Sequence, residues 1–103
     1  MSHLVILESG VNGFAEDKDQ ARDVRRSEIL PALEKGEHVT LDFASVRYAT
    51  QSYIHALVGE ALQKYGQKAL DNLEFQHCSA PVRSVIELVV DYSLGGFAES
   101  SKS

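Results

Sequence analysis

The amino-acid sequence predicts a small α/β domain, with a mostly parallel sheet of three to four strands and amphipathic helices in the order β-α-β-α-β-α. Two observations predict this class. Short apolar segments rich in branched residues alternate with longer segments whose apolar residues recur every three or four positions. Each strand is therefore joined to the next through a helix, which is the arrangement that produces parallel strands linked by right-handed crossovers. A chain of 103 residues, 44% of them hydrophobic, is sufficient for one domain with its own core.

The first strand and the first helix occupy the N-terminal third of the chain. The short branched run His3–Glu8 predicts a buried strand, and Ser9–Gly13 predicts a turn because Gly and Asn tolerate left-handed backbone. Asp17–Lys35 is predicted to be a helix, since acidic residues crowd its start and a glycine follows its end. Pro31 lacks a backbone N–H, so we expect it to kink the helix or to break it near Leu30.

The second strand and its helix form the clearest part of the pattern. Val39–Phe43 alternates apolar with polar residues, and the loop Ala44–Ala49 follows with Val46 expected to enter the core. Thr50 or Ser52 is the natural N-cap of the next helix, because a hydroxyl can accept from an unpaired first-turn N–H. The apolar positions of that helix recur at helical spacing: Ile54, Leu57, Val58, Ala61, Leu62 and Tyr65, with Gly66 at its end.

The third strand and helix complete the repeat. Leu73–Cys78 is predicted to be the strand, Ser79 the cap of the helix, and Pro81 a residue of its first turn, where no donor is needed. The buried positions of this helix are expected to be Val82, Val85, Ile86 and Val89. Gly95 and Gly96 are expected to close it, and Ala98–Ser103 is expected to be a flexible polar tail.

Charge and cysteine content limit the possible functions. The net charge of −5 argues against nucleic-acid binding, which usually needs a basic face. The one dense basic cluster, Arg22, Arg25 and Arg26, alternates with acidic residues and is interpreted as a solvated helix face, with a phosphate-binding patch as the alternative. With one cysteine, no run long enough to span a bilayer and no signal-peptide pattern at the start, the expected location is the cytoplasm.

The segment VTLDFASVRYATQSYIHALVGEAL resembles the strand, loop and helix of STAS domains, the fold of anti-sigma-factor antagonists. It is most similar to a smaller STAS-like family whose members are mostly uncharacterised. The residues that carry the resemblance are Asp42, Phe43, Val46, Ser52 and Tyr53. The segments EILPALEKGEHV and EFQHCSAPVRSVIELVV extend the similarity to roughly residues 14–94. The domain is accordingly expected to span residues 1–97, followed by the tail 98–103.

The resemblance implies a regulatory protein-binding module rather than an enzyme. Anti-sigma-factor antagonists present this helix start to a kinase-like partner with an ATPase fold, which phosphorylates a serine there. Where the best-known members have Asp-Ser-Ser, this chain has Thr50-Gln51-Ser52, so the usual acceptor position holds Gln51 and Ser52 matches the second serine. The expected partner-binding residues are Arg47, Thr50, Gln51, Ser52 and His55, with phosphorylation at Ser52 or Thr50.

Other functions fit the sequence less well. A small-ligand or nucleotide sensor would use the loops at the C-terminal edge of the sheet, but no glycine-rich phosphate loop is present. A receiver-type phospho-aspartate site at Asp42 would also need a pair of acidic residues after the first strand to bind Mg²⁺, and only Glu8 is present there. A cysteine phosphatase at Cys78 would need an arginine one position beyond Arg83. The four histidines have no metal-ligand spacing, so neither metal nor cofactor is expected. Self-association through an edge strand at Leu4–Leu7 stays open.

Overall fold

A computed structural model describes residues 2–94 of the chain. The elements in chain order are β1 (Ser2–Ile6), a 3₁₀ turn (Val11–Gly13), β2 (Phe14–Ala15), α1 (Lys18–Val24, Arg25–Ile29 and Leu30–Glu34), β3 (His38–Asp42), β4 (Tyr48–Ala49), α2 (Gln51–Ile54, His55–Gly59 and Glu60–Tyr65), α3 (Gln67–Asp71), β5 (Leu73–Gln76) and α4 (Ala80–Ser93). The middle piece of α1 and that of α2 are π-helical turns. The alternation of strands and helices confirms the predicted α/β class.

The main sheet is parallel and has the strand order β1-β3-β5. Val5 lies opposite Leu41, which in turn lies opposite Phe75. A second, two-stranded parallel sheet pairs β2 with β4, with Phe14 opposite Tyr48 and Ala15 opposite Ala49. This second sheet and the short helix α3 were not predicted from the sequence.

The strand β1 is not wholly buried, which corrects the expectation for His3–Glu8. Val5 and Leu7 are buried, whereas Leu4 and Ile6 are 58% and 64% exposed. The alternation arises because Leu4 and Ile6 share the sheet face of their partners Thr40 and Asp42, which is not buried. A short apolar run indicates a strand but does not indicate how many of its faces are covered.

The helix α1 continues past Pro31 without ending, but its hydrogen-bonding pattern changes at Leu30, where the expected kink or break was placed. Ile29 and Leu30 keep right-handed helical backbone angles, and the preceding residues Arg25–Ile29 form a π turn. Pro31 then falls in the first turn of the last α-helical piece, where the chain needs no N–H from it. Asp17 caps the helix by accepting the backbone N–H groups of Asp19 and Gln20 through its side chain.

The core is centred on α2, which supplies the most completely buried stripe. Five of its six predicted apolar positions are fully buried, namely Ile54, Leu57, Val58, Ala61 and Leu62. The sixth, Tyr65, is only partly buried, whereas Tyr53, which lies outside the predicted stripe, is buried. Gly66 ends the helix with a φ of +64°, and Ser79 caps α4 by accepting the Val82 N–H. Gly95, Gly96 and the tail 98–103 lie outside the described residues. Among residues 2–94, no helix is both long and apolar enough to cross a membrane.

Candidate functional site

The loop after β3 is ordered by the side chain of Asp42, the last residue of that strand. The Asp42 carboxylate accepts the Ala44 N–H and bonds the Nδ1 atom of His77, each at 2.9 Å. The hydrogen bond from His77, followed by that from Ala44, holds the pKa of Asp42 below its usual value. Phe43 and Val46 are buried beneath the loop, so the predicted role of Val46 is confirmed. Asp42 therefore orders the loop through hydrogen bonds to its backbone and to the end of β5.

The next residues are fixed by the small sheet. The Arg47 N–H donates to the Gly13 carbonyl at 2.8 Å, and the Thr50 N–H donates to the Ala15 carbonyl at 3.0 Å. Ser79 adds a hydroxyl that donates to the Arg47 carbonyl at 2.7 Å. Gly13 has a φ of +76°, and a Cβ there would lie 2.6 Å from the Arg47 Cγ. The backbone of Arg47 is thus fixed from two sides, while its side chain is exposed.

The two hydroxyl groups at the start of α2, those of Thr50 and Ser52, differ in their hydrogen bonding. Thr50 is the N-cap, and its Oγ1 accepts the Tyr53 N–H at 3.1 Å. Ser52 is exposed and, within the described chain, neither its hydroxyl nor the side chains of Gln51 and His55 make a hydrogen bond. Tyr53 is buried, and burial together with the charges of nearby acidic residues raises its pKa to about 12. The two predicted cap candidates are therefore resolved in favour of Thr50.

Two aromatic rings that were not predicted to belong to the site lie beside the start of α2. Phe14 and Tyr48 stand opposite each other on β2 and β4, with ring centroids 5.9 Å apart. They are 43% and 47% exposed, and Val11, in the adjoining 3₁₀ turn, is 82% exposed. No local signal in the sequence marks this pair, because the pairing of two-residue strands far apart in the chain depends on the tertiary fold.

Four of the five predicted binding residues line two separate grooves, and Thr50 lines neither of them. Arg47 is on a groove of about 460 Å³ at the C-terminal edge of the main sheet, which is lined by Ala44, Val46, Arg47, Tyr48, His77, Cys78, Ser79 and Pro81. Gln51, Ser52 and His55 are on a groove of about 420 Å³ between α1 and α2. The second groove, here called the α1–α2 groove, is lined by Lys18, Arg22, Arg25, Gln51, Ser52, His55 and Ala56.

The Cys78 thiol is half-buried, and burial raises its pKa above the usual value. A thiol with a raised pKa has a small thiolate fraction, and the thiolate is the reactive form. Within residues 2–94, no three His, Cys, Asp or Glu side chains are grouped to hold a metal ion. Exposed groups at this end of the sheet include the Ser52 hydroxyl, the Gln51 amide and the Arg47 guanidinium.

The fold and the loop after β3 define a small STAS-like α/β domain. Its three-stranded parallel sheet, its crossover helices and its helix start after the Asp42–Phe43 strand end all agree with the expected pattern. The family described as the STAS-like domain of unknown function (DUF4325) matches residues 20–83, so the chain belongs to this family. No curated protein and no solved structure shows significant similarity to the chain.

Proposed function

We propose that this domain is a regulatory protein-binding module whose contact surface comprises the loop after β3 and the start of α2. The contact residues are Arg47, Gln51, Ser52 and His55, together with the ring pair Phe14 and Tyr48. Membership of a STAS-like family supports a regulatory role. The partner is a kinase-like protein with an ATPase fold, and phosphorylation of Ser52 controls the contact.

The observation that carries this proposal is a set of exposed, unpaired side chains on a rigid frame. Phe43, Val46 and Tyr53 anchor the frame in the core, whereas the side chains of Gln51 and Ser52 make no hydrogen bond among the described residues. Aromatic and arginine side chains are the types enriched at protein interfaces. Exposed side chains that stabilise nothing within the domain remain available for a partner.

Ser52 is a better phosphorylation site than Thr50 for a structural reason. The Thr50 hydroxyl is engaged as the cap of α2, and a phosphate there would disturb that bond. Ser52 lies in the first turn of α2, where the helix dipole favours negative charge. A phosphate on Ser52 adds about −1.5 to −2 charges at neutral pH without unfolding the helix, yet it would repel an acidic partner surface.

Affinity capture from native cells with matched charge reversals tests the contact surface. Arg47→Glu changes an exposed residue of the surface, and Lys68→Glu makes the same charge change at an exposed position of α3. We expect the partner to be lost with Arg47→Glu and retained with Lys68→Glu. Equal recovery of the same partners by both variants would place the contact elsewhere.

The groove at the C-terminal edge of the main sheet favours a second candidate function, a small-ligand or nucleotide sensor. Its volume of about 460 Å³ lies in the range of small-ligand sites, and Arg47 and His77 line it. A ligand at 100 times its Kd stabilises the folded state by about 2.7 kcal/mol, which a thermal-shift screen detects. No shift with any nucleotide would reject this second candidate.

A further inference from the structure

The basic cluster of α1 does not simply face solvent. Arg22 and Arg25, together with Lys18, line the α1–α2 groove across from Gln51 and Ser52. The groove carries three cationic side chains and no carboxylate among its lining residues, although the chain as a whole has a net charge of −5. The spacing of the arginines along α1 places them on one helix face, but only the fold determines that this face meets the start of α2.

Two arginines of the groove form ion pairs with carboxylates whose side chains are exposed. Arg22 is bonded to Asp19 at 2.9 Å, and the side chain of Asp19 is 75% exposed. Arg25 reaches Glu60 at 3.3 Å, and the side chain of Glu60 is 54% exposed. The Arg22–Asp19 pair is exposed on both sides and contributes little, so a doubly charged anion can displace the carboxylate from Arg22.

Arg25 is the third cationic side chain that lines the groove. Its side chain is only 11% exposed, and it donates from Nη1 to the Ala56 carbonyl at 3.2 Å. The Nε atom of Arg25 is buried and has no hydrogen-bond partner among the described residues. Because this guanidinium already pairs with Glu60 and the Ala56 carbonyl, Arg25 belongs to the wall of the groove, and Lys18 and Arg22 are its more exposed cations.

We propose that the α1–α2 groove binds a phosphate group between Arg22, Lys18 and the start of α2. The Ser52 hydroxyl lines the same groove, so the first source of that phosphate is Ser52 itself after phosphorylation. A free phosphate is the second source, and its chemistry is the same. The first source rests on the proposed function, because it assumes that Ser52 is a phosphorylation site.

The covalent step needs a nucleoside triphosphate as the donor. The Ser52 Oγ forms a bond to the terminal phosphorus, the bond from that phosphorus to the bridging oxygen breaks, the hydroxyl proton passes to water, and the nucleoside diphosphate leaves. The phosphoserine oxygens then accept from Arg22 and Lys18, which line the same groove as Ser52, and from the unpaired first N–H groups of α2. The phosphate on the modified serine would thus be held in one position at the edge of the contact surface by cations of its own domain.

Phosphorus NMR of purified protein with phosphoserine incorporated at position 52 tests this directly. A free phosphoserine has a second pKa of about 6, and a nearby cation lowers the pKa of an acidic group by about 1 unit or more. We expect the titration midpoint to lie about 1 unit below that of a free phosphoserine. Arg22→Gln should return it toward the free value, whereas Arg26→Gln, on an exposed residue of α1 outside the groove, should not.

Inorganic phosphate added to the unmodified protein distinguishes the second source. Amide shifts confined to Gln51, Ser52 and His55, and weakened by Arg22→Gln, would support the groove as a site for free phosphate. The inference would be overturned by a titration midpoint near that of free phosphoserine in the parent protein and in both variants, together with no amide shifts on adding phosphate. So would an equal response of Arg22→Gln and Arg26→Gln in either experiment. None of these results depends on the partner-capture experiment, so the two proposals can fail separately.

Discussion

Removing the Thr50 hydroxyl should destabilise the domain, because that oxygen is the N-cap of α2. Its Oγ1 accepts the Tyr53 N–H at 3.1 Å, and α2 supplies the centre of the core. Thr50→Ala leaves the Tyr53 N–H without this partner and should lower the free energy of unfolding by about 1 kcal/mol. For a domain of this size the corresponding fall in Tm is about 4–8 °C, which calorimetry or thermal denaturation followed by circular dichroism measures.

Two further variants separate the cap from other effects of the substitution. Thr50→Ser keeps a capping oxygen and should stay within about 0.5 kcal/mol of the natural chain. Ser52→Ala removes an exposed hydroxyl that has no hydrogen bond among the described residues, and it should be equally neutral. A Ser52→Ala variant as unstable as Thr50→Ala would refute the assignment of the two hydroxyls. A neutral Ser52→Ala would make any effect of Ser52 on partner binding functional rather than structural.

Three other predictions follow from the same end of the sheet. Gly13→Ala should lower the free energy of unfolding in urea by more than Gly36→Ala does. Both glycines have a positive φ, but of the two only a Cβ at position 13 would meet a side chain, that of Arg47. Equal losses of stability would count against this. The pKa of Asp42 is lowered in the folded chain, so its carboxylate stabilises the fold above about pH 4 and this stabilisation is lost as the pH falls further. The stability difference from Asp42→Asn should accordingly be larger at neutral pH than in acid, and a difference independent of pH would contradict it. The pKa of Tyr53 is raised to about 12 in the folded chain, so its contribution to the free energy of unfolding is complete below the pKa of an unfolded tyrosine and is lost as the pH rises through the folded value. The absorbance titration of the tyrosines should therefore lose its highest step in Tyr53→Phe. A step retained in that variant would argue against the effect of burial on this pKa.

The parts of the fold predicted from the sequence are those determined by neighbouring residues. The caps Thr50 and Ser79 and the helix end at Gly66 follow from rules that operate within one turn. The stripe of α2 follows from helical periodicity, and the buried position of Val46 from its apolar side chain in a polar loop. These interactions connect residues a few positions apart, so the sequence displays them directly.

The missed features depend on contacts between distant segments. The pairing of Phe14 with Tyr48 has no local signal, because each strand is only two residues long. The extent of the first helix was predicted, but the π turn at Arg25–Ile29 that precedes Pro31 was not. Arg22 and Arg25 were correctly placed on one helix, but their position across a groove from Ser52 required the packing of α1 against α2.

The central claim is that the start of α2 contacts a protein partner, and site-specific photocrosslinking in native cells tests it most directly. A photoreactive residue replacing Gln51 should give a discrete adduct with a protein of ATPase fold. The same residue replacing Lys68, which is exposed on α3, should give none. The absence of any adduct at position 51, or the same adduct from both positions, would contradict the account.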